Sequence, residues 1–178
     1  MGAHKINDIA QEHEVETIIM HESYNSPTGL AHDIALLKLK TAVTLGEGVG
    51  TVCLPDINHP LLDGKTCYIT GWGTLSSGGS QPDSLMEASV PIVSQAKCEN
   101  AYGSSNIHDS MICAGLDAGG VDACQGDSGG PMVCEFNGKW FLEGATSWGH
   151  GCALPNKYGV YAKVRYLKSW VEGKMSSN

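Results

Sequence analysis

The stretch Asp122 to Pro131, DACQGDSGGP, gathers the residue types that acyl transfer needs. Gly126, Asp127, Ser128, Gly129 and Gly130 set one hydroxyl among residues that tolerate tight backbone geometry. A turn of this kind can aim successive N–H groups at one point, which suits stabilisation of an oxyanion. An ordinary Ser-Gly-Gly reverse turn fits the same residues, so the segment alone leaves both readings open. A base for the hydroxyl would have to come from elsewhere. The histidines are His4, His13, His21, His32, His59, His108 and His150. His32 adjoins Asp33, but neighbours on an extended strand face opposite ways, so His32 is not expected to reach between Asp33 and a nucleophile. The other six read as surface or structural histidines.

The elements that must position these groups are short strands. EVETIIMH (Glu14 to His21) is rich in β-branched and apolar residues, and Asp33 to Val43 opens with the apolar run DIALLKL. TCYIT (66–70) reads as a strand, TLSSGGSQPD (74–83) as a loop, and MEASVPIV (86–93) as a strand placed at an edge or bulge by Pro91. Asn137-Gly138 predicts a hairpin joining Pro131–Phe136 to Lys139–Trp148, and Gly159 to Val164 reads as a further strand. Val164, Leu167, Trp170 and Val171 recur at helical spacing, so the chain is expected to end in an amphipathic helix. Many short strands separated by turns indicate an all-β barrel or sandwich. There is no internal repeat and no evident linker.

Bulk properties narrow the function classes. A net charge of −8 argues against nucleic acid as a partner. No apolar run approaches membrane-spanning length, and no N-x-Ser/Thr sequon occurs. Seven cysteines stand without a CxxC pair, so disulfides and an oxidising, extracellular compartment are expected rather than a zinc ribbon. The odd count leaves one cysteine without a partner in the chain. The start, MGAHKINDIA, has no apolar h-region, so a disulfide-type chain without an export signal suggests a beginning lying further upstream.

DACQGDSGGP resembles the nucleophile loop of the chymotrypsin–trypsin family of serine peptidases. Further family marks follow in order: DIALLKL, Cys53-Leu54-Pro55, GWG at 71–73, MICAG at 111–115, SWGHGC at 147–152, GVYAKV at 159–164, and the Trp-bearing terminal helix. The resemblance implies two antiparallel β-barrels with the site between them, the first barrel incomplete in this chain, and one peptidase domain over residues 1–178. It implies Ser128 as nucleophile, the N–H groups of Gly126 and Ser128 as oxyanion hole, and Asp33 as the acid that orients a catalytic histidine. It sets Ser147 beside Asp33 and gives Ser147-Trp148-Gly149 to the substrate backbone as an added strand. Asp122 would floor the specificity pocket, with Gly149 and Gly159 as walls, so cleavage after Arg or Lys is expected.

Asp127 would pair with a new N-terminal amine after zymogen cleavage. The chain begins Met1-Gly2, so that switch is expected to lack its partner and the oxyanion loop to be zymogen-like or disordered. The implied disulfides are Cys67 with Cys134, Cys98 with Cys113, and Cys124 with Cys152, leaving Cys53 for a propeptide or light chain. No cofactor or metal is expected; calcium-binding trypsins carry an acid where Ala3 stands. In the family, Tyr at the position of Tyr158 accompanies sodium sensitivity, and a plain packing role fits equally.

The sequence departs from the family in one respect that decides chemistry. The AAHC-like histidine motif belongs upstream of Gly2 and is absent, and a domain of this class runs to about 200–250 residues. Hence the chain alone is expected to be inactive. The readings are a fragment of an active peptidase, a pseudoprotease that keeps the fold for binding, and an interaction module joined through Cys53. The intact Asp33, Asp122 and Ser128 favour the first.

Overall fold

A computed structural model describes residues 1–8, 11–56 and 58–177. The strands are β1 (Val15–Met20), β2 (Ala35–Leu39), β3 (Thr66–Gly71), β4 (Met86–Val93), β5 (Met111–Ala114), β6 (Pro131–Phe136), β7 (Lys139–Trp148) and β8 (Gly159–Lys163). The helices are α1 (Gln95–Tyr102) and α2 (Val164–Ser177). β3 to β8 close into one antiparallel barrel in the order β3-β4-β5-β8-β7-β6, while β1 and β2 pair as a separate two-stranded sheet. The all-β class and the terminal helix expected from sequence are thus present.

The barrel core alternates as a pleated strand requires. In β3, Cys67 and Ile69 point inward, and they meet Val90, Ile112, Met132 and Tyr161 from the other strands. At Gly144 in β7, a Cβ would come within 2.9 Å of both Met132 and Tyr161, so only glycine leaves room for those buried side chains. The hairpin turn at Asn137-Gly138 has φ of 51° and 77°, the positive values that a two-residue turn demands. Of α2, Val164, Leu167 and Val171 are buried, the face read from the sequence.

A buried ion pair fastens α2 to the barrel. Glu143 on β7 is fully buried and accepts from Arg165 Nη2 at 2.7 Å and Nε at 3.1 Å. Arg165 also donates to the carbonyls of Asp56 and His59, pinning the segment that enters the barrel. All three expected disulfides are formed, Cys67–Cys134, Cys98–Cys113 and Cys124–Cys152, and Cys53 is free and exposed.

Several sequence expectations need correction. Pro91 does not mark an edge or a bulge: β4 lies inside the closed barrel, between β3 and β5. Its ladder with β5 begins only at Ile92, so Pro91 sits where no second ladder asks for its missing N–H. The strand expected over 33–43 is confined to Ala35–Leu39, with Asp33 ahead of it. α1 and β5 were not anticipated as elements. α1 buries only Cys98 and Tyr102, a faint helical signal, and its start is capped by Ser94 Oγ accepting from Lys97 N–H.

Beside the barrel, the β1–β2 sheet shows Ile18, Met20 and Leu37 at 63%, 59% and 57% exposure. It meets the barrel at one place that concerns chemistry, the loop holding Asp33.

Candidate active site

The Ser128 turn is built by glycines. Gly126 and Gly129 have φ of 98° and 79°, values that a Cβ resists. Gly129 N–H donates to Thr146 O at 2.8 Å, and Thr146 N–H returns to Gly130 O at 2.9 Å, so the turn is pinned to β7 on one side. Asp127 pins the other. Its carboxylate accepts from Gly73 N–H at 2.8 Å and from Cys124 N–H at 3.0 Å. A Cβ on Gly73 would fall 2.3–2.6 Å from three atoms of that carboxyl group, which explains glycine there. Asp127 forms no ion pair among the described residues, yet its carboxylate is not left unsatisfied. The N–H groups of Gly73 and Cys124 thus answer the charge that the sequence left without a partner.

With the turn held in this way, Ser128 is exposed, and the N–H groups of Gly126 and Ser128 donate to nothing among the described residues. Two unengaged donors beside an exposed hydroxyl can serve an oxyanion.

A cavity of about 160 Å³ leads from Ser128 to Asp122, walled by Ser147, Trp148, Gly149 and Gly159. Asp122 accepts from Ala123 N–H at 2.9 Å and Ala153 N–H at 3.1 Å. Burial pushes the Asp122 carboxyl above the usual carboxylate range, the two N–H groups pull it back, and Asp127 adds to the rise. A side chain on Gly159 would begin 2.6 Å from an Asp122 oxygen and block the floor. Tyr161 Oη, buried and without a hydrogen-bond partner among the described residues, lies against the same glycine. Sequence reading missed Tyr161, whose place in the GVYAKV run gave no sign that it faces the pocket floor.

On the opposite side of Ser128, Asp33 accepts from Ser147 Oγ–H at 2.5 Å. Asp33, Ser128 and Ser147 line one cavity of about 530 Å³ together with Met20, Tyr24 and Leu37 from the β1–β2 side. No histidine among the described residues lines it. His32 has φ of 54° and is not extended, so the alternation argument did not apply to it. Its ring nonetheless turns away, stacking on His21. His150 lies edge-on to Tyr102 at 5.1 Å. Tyr158 is buried; its hydroxyl donates to Asp117 and its carbonyl accepts from Tyr102 Oη.

A closed antiparallel barrel with a glycine-built serine turn beside a carboxylate-floored pocket is the build of the chymotrypsin-like peptidases. The chain belongs to the trypsin family, whose model, described as Trypsin, matches residues 1–171. It is 45% identical over 158 residues to Trypsin-1 of Astacus astacus, covering 89% of this chain and 65% of that protein. It is 45% identical over 182 residues to Serine protease 1 of Rattus norvegicus, covering 100% of this chain and 71% of that protein. Transmembrane protease serine 11G of Mus musculus is 43% identical over 166 residues, covering 92% of this chain and 39% of that protein. The chain therefore spans about two-thirds of the length of the first two relatives. No helix among the described residues is long and apolar enough to cross a membrane.

Proposed function

We propose that residues 1–178 are one serine-endopeptidase domain that acts by acyl transfer and selects Arg or Lys at the cleaved bond. Ser128 is the nucleophile, and the N–H groups of Gly126 and Ser128 stabilise the oxyanion. Asp33, steadied by Ser147, is placed to orient an imidazole base, which no described residue lining the cleft supplies. Asp122 receives the substrate cation, and Ser147, Trp148 and Gly149 pair with its backbone. The observation that carries this reading is the cavity joining Ser128 to Asp122, with a desolvated carboxylate at its far end.

On this reading the chain as given lacks peptidase activity, since no histidine among the described residues lines the cleft between Asp33 and Ser128. An extracellular setting is supported by the three disulfides. Cys53, exposed and free, is the attachment point for a disulfide-linked partner chain. The test compares slow acylation by two esters sharing one leaving group, a guanidinobenzoate and an uncharged benzoate. Faster labelling by the cationic ester is expected. Equal labelling would contradict the specificity.

A further inference from the structure

Four rings form a row along the seam between the β1–β2 side and the barrel. His32 lies between His21 and His108, with ring centroids 4.7 and 4.9 Å away, and Trp170 of α2 covers His21 at 4.8 Å. Tyr166 of α2 flanks His32 and His108 at 6.0 and 5.9 Å. The row thus joins the end of β1, the loop before Asp33, the turn before β5 and the terminal helix.

The hydrogen bonds define which nitrogen each ring has free. His21 Nδ1 accepts from Ser23 N–H at 3.1 Å. His108 Nδ1 accepts from Ser110 N–H at 3.1 Å and lies 3.0 Å from Ser110 Oγ, which itself accepts from His32 N–H. His32 Nδ1 donates to Ser26 O at 2.9 Å. A proton added to His21 or His108 must therefore take the very nitrogen that accepts these bonds, turning an acceptor toward a donor. A proton on His32 adds charge between two other rings. Protonation thus breaks contacts as well as creating repulsion.

We propose that His21, His32 and His108 form a proton-sensitive clamp that holds the Asp33 loop when neutral and loosens it when charged. His32 is a positioning residue: its left-handed backbone, φ 54°, sets the entry to Asp33, and the stack and Ser110 hold that conformation. The charged neighbours are Glu22 and Lys174 beside His21, Asp33 after His32, and Asp109 after His108. Glu22 is itself engaged by Lys174 and by Trp170 Nε1–H at 2.7 Å. Burial and His32 hold His21 below the usual histidine range, Glu22 pulls upward, and Lys174 opposes it. A histidine favoured neutral by the fold gives stability that is complete above its unfolded value of 6.5 and lost as pH falls from there toward the lower folded value.

The consequence for catalysis rests on the reading of Asp33 given above; the test of the clamp does not. Thermal midpoint and amide exchange of residues 22–33 are followed at pH 7.5 and 5.5 in the full chain and in the His21→Phe, His108→Phe double variant, which keeps rings without charge. On acidification the midpoint of the unaltered chain is expected to fall by about 3 °C more than that of the variant, and the protection factors of 22–33, corrected for the intrinsic pH dependence of exchange, to fall roughly tenfold more than in the variant. Identical pH responses would overturn the proposal. Imidazole titrations by NMR supply a second reading that needs no variant. Coupled, broadened titrations of His21, His32 and His108 support the clamp, and three independent ordinary titrations overturn it.

Discussion

Replacing Asp122 by Asn tests the pocket floor with almost no change of shape. A bound amidinium donates two hydrogen bonds to this group. Bonds to a charged acceptor are worth about 1.5–3 kcal/mol and to a neutral one about 0.5–1.5 kcal/mol, so two such bonds lose about 3 kcal/mol together. That corresponds to roughly a hundredfold weaker binding. The probe is p-aminobenzamidine, whose fluorescence reports binding without any chemical step, so no general base is required. The pH dependence follows from the carboxyl group. Asp122 must be ionised to hold the cation, and burial raises its pKa above the ordinary 3.8, so affinity falls with acidification at a pH above 3.8. The Asn variant has no such dependence. Stability moves the other way. An acid whose folded pKa is raised binds more protons folded than unfolded, so stability declines as pH rises through that window and stays lowered above it. Asp122→Asn is therefore expected to melt higher than the unaltered chain at pH 7 and to lose that advantage near pH 3. An affinity within threefold of the original at pH 7.5 would refute the argument.

Free imidazole is expected to speed acylation of Ser128 by the guanidinobenzoate ester saturably, reaching about a hundredfold at saturation, because the 530 Å³ cleft beside Asp33 can receive it. Stopped-flow release of the leaving group measures this, and Asp33→Asn should weaken the effect. Gly73→Ala sets a methyl group into the Asp127 carboxyl. Loss of its two charge-assisted bonds should cost about 3 kcal/mol in urea unfolding and abolish amidine binding by releasing the Ser128 turn. Arg165→Met strands the buried Glu143 and should cost about 3 kcal/mol. A Glu143→Leu, Arg165→Met double variant should recover most of that in the same assay.

Much of the architecture was readable because its signals are local. The Asn137-Gly138 turn needs positive φ, the terminal helix repeats its apolar face, and both are visible in a few consecutive residues. β5 and α1 were harder for opposite reasons. All four residues of β5 are buried, so it has no alternation, whereas α1 buries two residues of eight. Closure of the barrel comes from pairings such as Tyr68 with Val133, 65 positions apart, which no window of sequence contains. The site divides likewise. Ser128 and its glycines announce themselves in one segment. Asp33 and Ser147 are 114 positions apart, and their pairing came only through the family resemblance. The support of Asp127 by Gly73, and the contact of Tyr161 with the pocket floor, depend on close approaches that only coordinates reveal.

The central claim is that Ser128 is the nucleophile of a cation-selecting acyl-transfer site. Its most direct test is peptide mapping by mass spectrometry after long incubation with the guanidinobenzoate ester. The acyl group is expected on Ser128, with labelling lost in Ser128→Ala and reduced in Asp122→Asn. Acylation elsewhere, or labelling of Ser128 that ignores the Asp122 substitution, would contradict it.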